Sequence, residues 1–251
     1  MTHGSTALNK LPQITLAFWV MKICATTLGE TAGDLLSMTL DIGYAMSSLL
    51  LIGIFVATLG AQLAARRFHP MLYWTVILST STAGTTMSDY MDRTLGLGYA
   101  TGSLILVSIL VCMLAAWRYS TGSLSVTRVT SRKAELFYWF TILFSNTLGT
   151  ALGDYLADDS GLGFMGGALL IASAIALITA AYYFTRLSHV LLFWLAFVLT
   201  RPFGATLGDT LTKPIEKGGL DLGTIGSSAV LLAVLVAMVL WTSRKKAATV
   251  A

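Results

Sequence analysis

The chain has 251 residues, of which 55% are hydrophobic and only 11% charged, with a net charge of +4 and a mean hydropathy of +0.76. A soluble domain carries about 25% charged residues, so this composition excludes an ordinary soluble enzyme and points to a chain built for a bilayer. The small positive charge gives no case for nucleic acid, and Cys24 and Cys112 lie in apolar runs outside any CxxC or Cys/His zinc spacing.

The first twelve residues are polar and lack the n-region, h-region and cleavage site of a signal peptide. The first membrane helix is therefore expected to act as an uncleaved signal. Eight apolar stretches follow, at 14–37, 42–65, 71–91, 97–118, 135–157, 162–185, 188–211 and 222–243. Each can supply the ~20 residues of a spanning helix. The fold expected is an all-α integral membrane protein of eight transmembrane helices, forming a single domain over 1–251. Only the connection 119–133, rich in Ser, Thr and Gly, is long enough to read as a linker, and it divides the chain into halves.

Basic residues set the orientation. One side collects Lys10, Arg66, Arg67, Arg118, Arg128, Arg132, Lys133, Arg186, Arg244, Lys245 and Lys246, and the other only Arg93, Lys213 and Lys217. Both termini are thus expected in the cytoplasm.

A repeat dominates the sequence. Residues 19–34, WVMKICATTLGETAGD, recur as 74–89, 139–154 and 194–209. Every copy opens on Trp, closes on Asp fifteen residues later, and has Gly five residues before the Asp. Each repeat unit holds two helices, giving units near 12–66, 67–120, 134–186 and 187–244. An even number of helices keeps the units parallel, so pseudo-fourfold or two-plus-two symmetry about the membrane normal is expected, in contrast to inverted-repeat transporters. The pairs Gly29/Gly33, Gly84/Ser88, Gly149/Gly153 and Gly204/Gly208, and in the second helices Gly43/Ser47, Gly98/Gly102, Gly163/Gly167 and Gly223/Ser227, are small-xxx-small spacings that let helices approach closely. The four Trp read as interfacial anchors on the cytoplasmic side.

At about 100° per residue each Asp shares a face with the positions three, four and seven before it. That stripe holds Thr27, Glu30 and Thr31 with Asp34, Thr82, Thr85 and Thr86 with Asp89, Thr147 and Thr150 with Asp154, and Thr206 with Asp209. Acids within spanning segments are costly and face the interior or a water-filled cavity. Glu30, Asp34, Asp89, Asp154 and Asp209 are the candidate cation-binding or proton-carrying groups and the candidate ligands of a metal ion. Lys22 and Arg201 are the counter-charges available within the motif helices, leaving −3 if every group is ionised. Arg201 is expected to pair with an acid on another helix, Glu30 first. Pro202 is expected to kink the seventh helix or free a carbonyl near the stripe.

His3, His69 and His189 fall at helix ends or loops, which excludes paired-histidine haem, and the last helix is expected to hold no Lys for a retinal Schiff base. No P-loop, HExxH or GxSxG is present.

The residues Trp19, Thr27, Gly29, Glu30, Gly33 and Asp34, with their counterparts ending at Asp89, Asp154 and Asp209, resemble the DUF347 family of bacterial membrane proteins, which carry four tandem copies of a two-helix repeat of unknown function. The resemblance implies a four-unit, eight-helix architecture in a bacterial inner membrane and supplies no activity. Arg201-Pro202 and Ala205 in the fourth copy, and Ser88 in the second, depart from strict equivalence.

The leading reading is a non-enzymatic transporter or channel for a cation, with a metal ion as the preferred substrate because carboxylate, hydroxyl and carbonyl oxygens suit Mg, Ca or Mn. The cation could be exchanged for protons, no covalent cofactor is expected, and glycine faces could support a homo-oligomer in the bilayer. The alternatives are a scaffold or small-ligand sensor whose aspartates tie helices together, and a membrane-embedded enzyme using paired carboxyls.

Overall fold

In the computed structural model, residues 11–250 are described, apart from the side chains of Arg128 and 246–250. Lys10 and most of the polar start lie outside them. Eight long helices follow in order: α1 Leu16–Asp34, α2 Tyr44–Ala64, α3 Pro70–Asp89, α4 Tyr99–Thr121, α5 Arg132–Asp154, α6 Gly163–Phe184, α7 His189–Thr212 and α8 Thr224–Val250. Their starts have local causes. Thr15 and Ser131 accept the Phe18 and Ala134 amides at 3.3 and 3.1 Å, and Pro70 occupies the first turn of α3.

The odd-numbered helices form an inner ring, with α1 against α3, α3 against α5, α5 against α7, and α7 back against α1. Each even-numbered helix packs on the inner helix of the following unit: α2 on α3, α4 on α5, α6 on α7, and α8 on α1. The outer helices turn Leu49, Leu104, Leu169 and Val230 outward. Among the described residues five helices, α2, α4, α6, α7 and α8, are long and apolar enough to cross a membrane. α1, α3 and α5 are more polar because their Thr and Ser faces meet one another inside the ring.

The inner glycines explain the ring's register. A side chain on Gly29 would collide with Ser81, on Gly84 with the backbone of Asn146 and Thr147, on Gly149 with Arg201, and on Gly204 with Thr26. Gly33, Gly153 and Gly208 likewise face Thr85, Ala205 and Glu30. The residues eight and four before each Asp thus seat against the glycine face of the preceding inner helix. The glycine face and the polar stripe are two halves of one contact, where the sequence suggested separate faces. These glycines are consumed within the chain, so they give no argument for a homo-oligomer.

The glycines opening the outer helices act differently. Gly43, Gly98, Gly163 and Gly223 have nothing within 4 Å of a would-be side chain, and all have φ between +67° and +79°. They are conformational, not the packing residues expected, whereas Ser47, Gly102, Gly167 and Ser227 one turn later are buried. Two residues before each opening glycine, Asp41, Gly96, Gly161 and Asp221 also have positive φ. At Gly98, φ +72° with ψ 154° is essentially restricted to glycine. Gly98→Ala should cost about 1–3 kcal/mol of stability, read as a lowered unfolding midpoint in detergent, whereas Gly53→Ala in the open middle of α2 should cost nothing.

The segment 119–133 is more ordered than a linker. α4 runs to Thr121, a short 3₁₀ turn spans Val126–Arg128, Val129 is buried, and Leu124 O accepts from Trp194 Nε1 at 3.0 Å. α8 also extends past 243, so Lys245 lies within it, over the Trp241 ring. The absence of Lys from the last helix therefore does not hold, although this Lys sits at its extreme end.

Candidate functional site

In the first three units a five-residue π-helical turn follows the motif Asp directly, at Leu35–Thr39, Tyr90–Thr94 and Tyr155–Asp159. It closes on five-residue bonds such as Leu95 N to Tyr90 O at 2.9 Å. Such turns often accompany functional sites. Here the turn re-aims the residue four after the Asp. In the second unit that residue is Arg93, whose Nε lies 3.0 Å from Asp89 Oδ1 and whose Nη2 lies 3.3 Å from Asp154 Oδ2. In the fourth unit α7 ends instead, and Lys213 Nζ lies 2.6 Å from Asp34 Oδ2 and 3.2 Å from Asp209 Oδ1. The four aspartates therefore form two pairs, each bridged by one cation, with Met38 and Asp158 at the two remaining positions. The aspartate side chains are at most 5% exposed, against 30% for Arg93 and 18% for Lys213. The carboxylates are thus reached from this end past the two bases. Burial works against the Lys213 charge, but Asp209 and Asp34 outweigh it and hold the ammonium well above the ordinary lysine range.

One turn deeper, Arg201 is fully buried and touches all three other inner helices. Its Nη2 lies 2.8 Å from Glu30 Oε2 and donates to Thr85 and Thr150 Oγ1 at 2.6 Å, while Nη1 donates to Thr26 O at 3.5 Å. The two hydroxyls lie 3.4 Å from the same Glu30 oxygen. Arg201 and Glu30 thereby fill the ring's centre. Glu30, Asp34 and Asp209 can each bring an oxygen within 4.8 Å of one another, the one grouping among the described residues with the spacing of a small cation site.

A further turn in, Lys22 is fully buried, with Nζ 3.4 Å from Asn146 Oδ1 and 4.3 Å from the Phe197 ring centroid. Aromatic rings close the far end. Phe18 meets Trp74 at 5.7 Å, Tyr73 meets Trp139 at 5.4 Å, Tyr138 meets Trp194 at 6.3 Å, and Phe193 meets Trp19 at 5.7 Å. The same step from one unit to the next runs through all four contacts. Tyr73 and Tyr138 also share a buried hydroxyl hydrogen bond of 2.7 Å.

Several sequence expectations change here. Trp74, Trp139 and Trp194 are buried in this plug and are not the interfacial anchors expected, whereas Trp19 is half-buried. Lys22 contacts no carboxylate and is not a counter-ion in the expected sense. Of the threonine stripe, Thr85 and Thr150 reach the site. Thr27, Thr82, Thr147 and Thr206 bond carbonyls one turn back in their own helices, and Thr31 bonds Leu28 O while accepting from Ser228 of α8. α7 passes through Pro202 as one continuous helix, with the ring seated against Gly149. Arg93 and Lys213 join the site from beyond the apolar runs, and the signal for them is their place four residues after a motif Asp, a spacing that brings side chains together on a helix.

A family profile described as Repeat of Unknown Function (DUF347) matches residues 17–68, 72–123, 137–188 and 192–247. The chain belongs to the DUF347 family. The four matched segments each contain one inner and one outer helix, so the DUF347 repeat is the unit that swaps its outer helix onto the next. Comparison with curated proteins and with solved structures gives no match.

Proposed function

We propose that this DUF347 chain is a membrane carrier for a cation. The supporting observation is the arrangement of charge along the ring axis: four buried aspartates and Glu30 lie behind two partly exposed bases, and an aromatic plug lies at the opposite end. A site reached from one end and shut at the other is half of an alternating-access cycle. In this reading all eight helices span a bacterial inner membrane. The polar helices α1, α3 and α5 are shielded from lipid by the outer helices. The units are related by a pseudo-fourfold axis along the membrane normal, reduced to two-plus-two by Arg93 and Lys213. The Trp end and both termini face the cytoplasm, by the excess of basic residues there.

Charge balance informs the choice of substrate. The carboxylates Glu30, Asp34, Asp89, Asp154 and Asp209 contact three bases, Arg93, Arg201 and Lys213, leaving two net negative charges when all are ionised. Two negative charges suit one divalent metal ion, as do the oxygen ligands. Glu30, Asp34 and Asp209 would hold it as Lys213 swings aside.

The test is flux of sodium, potassium, magnesium and manganese ions in vesicles containing the purified chain. Asp34→Asn and Asp209→Asn should each reduce the flux to that of protein-free vesicles while the protein remains monodisperse. Wild-type rates in both variants would overturn the proposal. A scaffold is the second reading, favoured by the observation that every motif carboxylate already has a base within 3.3 Å. In that case the wild-type chain would carry no ion, and the same substitutions would only lower its unfolding temperature.

A further inference from the structure

Lys22 is left over by the carrier scheme. Its side chain is wholly buried, and among the described residues it has no carboxylate partner. Its contacts are the Asn146 carbonyl oxygen and the face of Phe197, neither of which carries a full negative charge. The charged group facing it is Arg201 from α7, a like charge one turn toward the Asp end. Glu30 lies two turns along the same helix and is held by Arg201. On the other side, one turn toward the Trp end, α3 and α5 supply the Tyr73–Tyr138 hydroxyl pair. α8, which also packs on α1, brings no titratable side chain before Arg244. A buried ammonium with no anion is costly, and lysine, unlike arginine, can shed its charge.

We propose that Lys22 is the proton-exchanging group of this membrane protein, and that its proton and the transported cation exclude one another. The inference rests on the carrier reading. While Glu30 pairs with Arg201, the guanidinium that faces Lys22 is compensated. When Glu30 turns to a cation held with Asp34 and Asp209, Arg201 loses that partner. The Lys22 ammonium then faces an uncompensated like charge. An N–H bond at Nζ breaks, the electron pair stays on nitrogen, and water takes the proton. Nothing is oxidised or reduced, and the cycle exchanges one cation for one proton.

The test uses the full chain purified in detergent. Chlorides of sodium, potassium, magnesium and manganese are first screened for thermal stabilisation, and the stabilising salt is titrated into weakly buffered protein with a pH-indicator dye. Wild type should release one proton for each ion bound. Lys22→Met should still be stabilised by the ion but release none. Lys22→Arg, which keeps the charge and serves if the Met variant does not fold, should also release none. Release equal to wild type in a variant that binds the ion overturns the role of Lys22 and leaves the carrier reading standing. Absence of both stabilisation and vesicle flux in wild type, with all four ions, overturns both.

Discussion

Arg201→Met is expected to lower stability by about 3–5 kcal/mol, the cost of stranding one member of a buried ion pair. The substitution removes the guanidinium that joins Glu30, Thr85 and Thr150 at 2.6–2.8 Å. It leaves the Glu30 side chain, 4% exposed, with two threonine hydroxyls at 3.4 Å and no cation in contact. Glu30→Gln should cost a similar amount from the other side. The double variant should recover most of the loss, because replacing both charges with uncharged groups of similar size avoids the stranded charge. Denaturant unfolding in mixed micelles, analysed as a double-mutant cycle, reads this directly. Strictly additive losses would show that the pair is not coupled. Flux of the double variant adds a functional readout: a centre that is only structural would tolerate the exchange, whereas a centre that passes Glu30 between Arg201 and a cation would not.

The second large effect is expected at Gly84. A Cβ there would lie 2.9 Å from Thr147 N and 3.0 Å from Asn146 C, both backbone atoms of α5 that cannot rotate away. Gly84→Ala should therefore cost about 1–3 kcal/mol through overpacking, and Gly84→Val more. The shift would also displace Asn146, which accepts from Lys22 and donates to Thr80 at 2.9 Å. Gly60 in α2 is the internal control: nothing lies within 4 Å of its would-be Cβ. Gly60→Ala should be neutral or slightly stabilising, because alanine is the better helix former by about 1 kcal/mol. Unfolding midpoints of the two variants in the same detergent should separate cleanly.

The eight helices and the four units were legible in the sequence because they depend on local signals: apolar length, the Trp-to-Asp spacing and the recurring glycines. The register between inner helices was not legible. It follows from which residue fills the glycine face of a neighbour, and periodicity within one helix does not reveal that Ser81 meets Gly29 or that Arg201 meets Gly149. The roles of the opening glycines are hidden in the sequence for a related reason. A four-residue spacing reads the same whether the first glycine packs or supplies a positive φ, and only the empty space beside Gly43 and Gly98 separates the two. Position at a helix end does not reveal that the end turns inward, so the burial of Trp74, Trp139 and Trp194 is not legible in the sequence. Arg93 and Lys213 were assigned to loops, since the π turn and the end of α7 that bring them back over the aspartates lie beyond the apolar run.

The packing of α8 on α1 also bears on how the protein is made. The first inner helix to leave the ribosome is the last to receive its outer cover. Ser228 of α8 donates to Thr31 Oγ1 at 2.8 Å, and Leu231 O accepts from Cys24 at 3.4 Å, across about two hundred residues of intervening chain. Contacts so distant in sequence form late. Until synthesis reaches α8, the groove on α1 stays open to lipid or to an insertion factor, and the ring has a single seam between its first and last helices. A nascent chain stalled before residue 224 would hold three of its four inner helices covered and one bare.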